Sequence, residues 1–504
     1  MNGLVIAPVL LPLLAGILLL LLPPSRLALH QTLSVASLAA QIGLVLALMA
    51  AVDEGHILVY ALGNWPAPFG IVLVADRLAA WMLIITTLLA LFALLYAIRG
   101  DDRTGRYFHV LFQFQLFGLN GAFLTGDLFN LFVFFEILLL ASYGLLLHGG
   151  GRRRTRAGLH FVIVNLVGST LFLFAVGTLY GVLGTLNMAD LAVKVAATPP
   201  ENAPLVRAAG LLLFAVFALK AALVPFYLWL PAAYAHTSAS SAALFAIMTK
   251  VGAYSILRVY WLIFGPEAGP VVNLIDDWLL PLALATLLIG ATGAVASTHL
   301  RQQAAYLVVA SVGSLLAAFG LNNPAGLAAG LHYLPHTTFA AAALFLLADL
   351  IARQRGALTD RLDPGPDLAN ARWLGALFFI TAIAVAGLPP LAGFIGKFLM
   401  LRAALDHALL PWIMGVVLIA ALLGLIALAR TGSLLFYRVD AEAANEALVS
   451  CNWADTAPVV GLLLLLLGLT VGSGPILDLA QAIADQLGQP QLYIQAVLNP
   501  GGTL

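Results

Sequence analysis

Apolar runs of about twenty residues, the length of an α-helix that crosses a bilayer, recur along almost the whole chain. They lie near 3–22, 30–51, 78–98, 107–125, 127–147, 157–183, 205–231, 239–263, 272–297, 303–321, 325–352, 371–400, 411–436 and 457–482. No other feature limits the fold as strongly. In hydrocarbon each backbone N–H and C=O must find its partner inside the protein, and a helix achieves this within one segment. The pattern predicts an all-α polytopic membrane protein of about fourteen transmembrane helices. Only 9% of the residues are charged, against about a quarter in a soluble domain.

Charge supplies an orientation. No basic residue precedes the first run, and Arg26 follows it, so the run reads as a retained span that enters with its N-terminus outside. With that start, Arg99, Arg103, Arg106, the RRRTR cluster at 152–156, Arg301, Arg353, Arg355, Arg361, Arg372, Arg430 and Arg438 fall in inside loops. Both termini are expected on the outer side. Formal net charge is zero, and no field points to nucleic acid. Cys451 is the only cysteine; an internal disulfide, a cysteine zinc site and an iron–sulfur cluster are excluded, and no cofactor is expected in the chain.

Two spans are interrupted alike. ALKAALVPFYLWLP at 218–231 has Lys220 one turn before Pro225, and AGLPPLAGFIGKFLM at 386–400 has Pro389 and Pro390 ahead of Lys397. Proline removes a donor and frees a carbonyl, so both helices are expected to break within the membrane. Such breaks at corresponding places in two halves point to an inverted-repeat transporter with its pathway at the breaks.

The ionisable residues are distributed the wrong way round for a surface. Three of the four lysines, Lys220, Lys250 and Lys397, lie inside predicted spans, as does Glu136, in GDLFNLFVFFEILLLASYGLLL at 126–147. Uncompensated, these four would cost on the order of 10–14 kcal/mol on insertion scales. They can be glue between helices or a proton relay; buried ion pairs stabilise poorly compared with apolar packing, which favours the relay. His332 and His336, in LHYLPHTTF, share one helix face at i and i+4. No third ligand stands at suitable spacing, so a proton path is expected there and a metal is not. His236, in AYAHTSAS, is placed to open the path to one surface.

These segments carry a resemblance. TGDLFNLFVFFEILLLASYGLLL, ALKAALVPFYLWLP, AALFAIMTKVGAYSILRV and AGLPPLAGFIGKF occur in the order found in the antiporter-like subunits of respiratory complex I. The chain resembles still more closely the D-subunit family of the Mrp-type multisubunit Na+/H+ antiporters. The resemblance implies an N-terminal block 1–106, inverted five-helix repeats at 107–263 and 264–438, and a C-terminal segment 439–504. It implies proton translocation by Glu136, Lys220, Lys250 and Lys397; His332, His336 and His236, read from the residues themselves, are expected to serve as relay groups beside them. Other membrane subunits of a hetero-oligomeric antiporter, Na+ and H+, and the lipid bilayer are the implied partners, in a bacterial cytoplasmic membrane. A redox-driven proton-pump subunit of complex I type, and a non-conducting scaffold, are the alternatives. Three positions depart from the family pattern: Ala340 where many relatives have lysine, Ser311 where they often have histidine or glutamine, and Ser240 where proline is common. Water would have to bridge His336 to Lys397.

Overall fold

The computed structural model describes residues 3–438 and 450–499. In chain order its helices are α1 (Gly3–Leu21), α2 (Leu27–Val52), α3 (Arg77–Ala97), α4 (Phe108–Leu124), α5 (Leu128–Leu147), α6 (Arg152–Leu183), α7 (Met188–Ala196), α8 (Ala203–Ala221), α9 (Trp229–His236) and α10 (Ala239–Phe245). They continue as α11 (Met248–Leu262), α12 (Asp276–Ala296), α13 (Leu300–Phe319), α14 (Pro324–Arg353), α15 (Ala371–Ala386), α16 (Ala392–Ala403), α17 (Leu410–Phe436), α18 (Trp453–Val471), α19 (Ser473–Leu487) and α20 (Pro490–Leu498). Among the described residues, twelve helical stretches are long and apolar enough to cross a membrane, and two shorter apolar helices, α4 and α15, occupy the remaining expected spans. A short antiparallel hairpin, β1 (Leu58–Ala61) and β2 (Val72–Ala75), joins α2 to α3. The expected start of the C-terminal segment, 439, lies outside the described residues.

Burial inverts the soluble pattern. On α6 the exposed face is Leu159, Ile163, Leu166 and Phe174, and on α17 it is Leu418, Leu422, Leu425 and Ile426; these faces suit lipid, whereas His109, Gln113, Asn120 and Asn165 are turned inward. α14 is the centre of the bundle, its most apolar window 94% buried, packed against α3, α10, α13, α15, α16, α18 and α19.

Both proline-marked breaks form, and their freed backbone groups find partners, as a buried break requires. α8 ends at Ala222, which has a left-handed φ of 58°. The Leu219 carbonyl then accepts from the Trp229 indole at 3.0 Å, and the Val224 N–H donates to Thr286 Oγ1 at 2.9 Å. α15 ends on Gly387 at φ 72°, a conformation glycine adopts without strain. Here the freed carbonyls go to titratable groups: Ala384 to His336 and Ala386 to Lys397.

Two expected spans differ from the structure. The run 457–482 is α18 and α19, separated at Gly472; its apolar character is continuous, but α19 packs back on α14. The run 239–263 is α10 and α11, parted by a turn at Ala246–Ile247 that ends three residues ahead of Lys250. The polar connection near 186–204 contains α7, begun by an Asn187 side chain that caps Ala189 and Asp190.

Candidate functional site

Glu136 stands on α5 and Lys220 on the last turn of α8, and among the described residues no ion pair joins them. Instead α6 lies between. Ser169 Oγ donates to the Glu136 carboxylate, and Lys220 Nζ donates to Asn165 Oδ1 at 3.1 Å. Asn165 and Ser169 are one turn apart, so a single face of α6 holds the acid and the amine in separate hydrogen bonds. Lys220 also sits 5.8 Å from the centroid of the Phe135 ring, next in sequence to Glu136. Asn165 and Ser169 carry no charge, and their one mark in the sequence is two polar groups four apart in the largely apolar part of α6.

Lys250, on α11, is 0% exposed, and its Nζ has no hydrogen-bond partner among the described residues. Its helix meets the end of α8 at Gly252, where a methyl group would overlap the backbone of Lys220 and Ala221. This close approach places the elements that carry Lys220 and Lys250 in direct backbone contact. A glycine is required there for steric reasons, and no positive φ is involved.

α14 carries His332 and His336 on one face, but the two rings reach different elements. His332 Nε2 is 2.8 Å from Ser473 Oγ, at the start of α19. His336 Nε2 is 2.9 Å from the Ala384 carbonyl. A carbonyl only accepts, so Nε2 carries the proton and Nδ1, which has no partner in the structure, is the basic nitrogen. Gly393 of α16 lies against the His336 ring, one turn before Lys397. Lys397 Nζ donates to the Ala386 carbonyl at 2.9 Å.

A cavity of about 50 Å³ adjoins this pair, lined by Ser311, Ser314, Tyr333, His336, Thr337, Ala340 and Lys397 among others. It has room for a few water molecules at ~15 Å³ each. Ser311 and Ala340, two of the departures from the family pattern, are both in its wall: the small side chains leave the space that water would need to link His336 with Lys397.

His236 ends α9 and lines a larger open hollow of about 990 Å³, with Arg152, Arg153, Arg154, His299, Arg301, Asp349 and Arg353. Arg154 Nε donates to the His236 carbonyl at 3.0 Å. Nearby, Asp349 is clasped by Arg301 at 2.5 Å, Arg353 at 2.6 Å and the Tyr96 hydroxyl at 2.6 Å. Asp101, in the α3–α4 connection, accepts from the N–H and hydroxyl of Ser240 at 3.1 and 2.6 Å. Proline at 240 would lack that N–H, so serine here supplies a bond the family pattern could not. Burial, and then the Asp349 carboxylate, push the Asp101 carboxyl above its usual range, against the Ser240 bonds and Arg353.

Comparison with known proteins gives one consistent answer. The family described as NADH:quinone oxidoreductase/Mrp antiporter, TM, matches residues 125–424. A Rhizobium meliloti protein named as the D subunit of a probable K(+)/H(+) antiporter is 40% identical, over 99% of this chain and 98% of the relative. The D subunit of a Na(+)/H(+) antiporter from Alkalihalophilus pseudofirmus is 38% identical over 99% of this chain and 100% of the relative. Among solved structures, a chain of the Mrp complex from Dietzia sp. superposes with a TM-score of 0.87 at 30% identity, covering 99% of both chains.

Proposed function

Because this chain belongs to the NADH:quinone oxidoreductase/Mrp antiporter membrane family, we propose that it drives cation/proton exchange by moving protons along a buried axis of its own side chains. The chain is a multi-pass membrane subunit of a multisubunit monovalent cation/proton antiporter, a transporter whose partners are the other membrane subunits. The relatives' names are those of antiporter subunits, which favours this reading over a redox-driven pump; they differ in naming K(+) or Na(+).

In the proposed axis, Glu136 and Lys220 are the switching pair, Lys250 the central carrier, His332 and His336 the bridge, and Lys397 the terminal exchange site. His236, in the arginine-rich hollow, opens it to the inner side of a bacterial cytoplasmic membrane, with both termini outside. Helices α4–α11 and α12–α17 would be the two inverted repeats, each with one broken helix bearing a lysine at the break.

One observation carries the reading. Among the described residues, Lys220, Lys250 and Lys397 make no ion pair; two rest on neutral oxygens and the third on nothing. Helix glue needs its charges paired. An amine held by weak neutral acceptors is free to give and receive a proton.

Exchange by this axis also requires coupling to cation movement elsewhere in the assembly. The whole assembly, reconstituted in vesicles, should therefore exchange protons for Na+ or K+, while this chain reconstituted alone should not. Cation-dependent proton flux from the single chain would contradict it.

A further inference from the structure

Asp101 and Asp102 are adjacent in sequence but serve different places. Asp101 turns to Ser240 and Arg353, at the mouth of the axis. Asp102 turns the other way, into the seam between α1, α2 and α4. Its Oδ2 accepts from Gln31 Nε2 at 2.7 Å and lies 3.3 Å from His109 Nε2.

From there polar groups continue along the seam. His109 Nδ1 is 3.0 Å from Ser34 Oγ, and Ser37 Oγ, one turn on, donates to Gln113 Oε1 at 3.2 Å. Gln41 Nε2 and Asn120 Nδ2 then both donate to the Pro8 carbonyl, at 3.2 and 2.7 Å. That carbonyl is available because the residue four further along α1 is Pro12, which has no N–H. His109 to Asn120 is eleven residues of α4, about 16 Å of helix rise.

A seam that only fastened helices together would pair its atoms. In this one five polar atoms are buried without a protein partner among the described residues: His30 Nε2, Asp102 Oδ1, Gln113 Nε2, Gln41 Oε1 and Asn120 Oδ1. They are spread over its length, and they include both donors and acceptors. Unpaired donors argue against a bare cation as the ligand. Water satisfies both kinds, since each molecule makes two to four hydrogen bonds to otherwise unsatisfied groups.

We propose that α1, α2 and α4 enclose a second file of water, separate from the lysine axis, which opens at Asp102 and His109 and ends at the Pro8 carbonyl. A proton that enters at Asp102 or His109 leaves by the same mouth, so the file itself moves no net charge. The buried Phe123 and Leu124 follow Asn120 on α4. The file is thus a half-channel open at the Asp102 end, which avoids a leak. The two aspartates form a fork: one acid stands at the mouth of each path.

Hydroxyl radicals generated from water inside the membrane-embedded assembly, read by mass spectrometry, test this. Pro8 and His109 should label as readily as His236, and Leu48, a 0% exposed residue of α2, should not. Gln113→Leu should block the middle of the file: the label at Pro8 is lost and that at His109 stays, with the complex intact. Ser37→Ala serves the same purpose if the leucine variant does not assemble. An unlabelled Pro8 in the parental protein, or a Pro8 label that survives both substitutions, would overturn the proposal. Neither readout touches Glu136 or Lys397, so failure of the lysine axis would leave this result standing, and the reverse.

Discussion

Replacing Glu136 with glutamine is expected to reduce exchange to background in membranes that hold the complete assembly at parental amount. The amide keeps the shape of the side chain and can still accept from Ser169; only the charge is removed. Lys220, on α8, is bound to neutral Asn165 on the neighbouring turn of the α6 face, so its attraction to the carboxylate acts through space and not through a bond. Two unit charges a few side-chain contacts apart attract by on the order of 2–4 kcal/mol at a protein-like dielectric. That biases two positions of the lysine by roughly 30- to 900-fold. Without the bias the amine has no reason to reside near α5 in one half of the cycle and near Lys250 in the other. Glu136→Asp keeps the charge one methylene short and should retain part of the rate. Everted vesicles reporting proton movement on addition of Na+ or K+ measure both variants. A Glu136→Gln protein at parental rate would make the carboxylate structural.

Lys397→Ala should also abolish exchange, with the complex still assembled. The lysine is half-buried and makes one hydrogen bond, to the Ala386 carbonyl. Losing that donor costs about 1–3 kcal/mol, a small loss for a bundle of this size, and the adjoining cavity offers room for water to take its place. What cannot be replaced is the titratable group beside His336. Blue-native electrophoresis for assembly and vesicle assays for exchange separate the two effects, and persistence of exchange near the parental rate would remove Lys397 from the proposed path.

Much of this was legible in the sequence because hydrocarbon leaves few options. Pro225, Pro389 and Pro390 predicted both lysine-bearing breaks from the missing N–H alone. The turn ahead of Lys250 was not predicted, since Ala246 and Ile247 carry no mark of one. Nor was the division at Gly472, because hydropathy does not register a change of direction within an apolar run. Glu136 and Lys220 were legible by their charge, but the two bonds that hold them to α6 were not, because Asn165 and Ser169 are neutral and easily overlooked. The bond from Asp101 to Ser240 spans 139 residues of sequence, and no local pattern encodes it. Ala340 and Ser311, which read as interruptions of the relay, line a cavity beside His336 and Lys397. A missing side chain and a space for water look the same in sequence, and only packing tells them apart.

On this account buried amines carry protons and do not merely hold helices together. Lys250 isolates that role best, because among the described residues its Nζ has no hydrogen bond for its removal to break. Methionine fills nearly the same volume, and replacing an unpaired buried cation by an apolar side chain leaves stability unchanged or raises it. Measured on the same membranes, Lys250→Met should therefore show a thermal stability at or above the parental value together with exchange at background. Exchange at the parental rate in that variant would contradict the account.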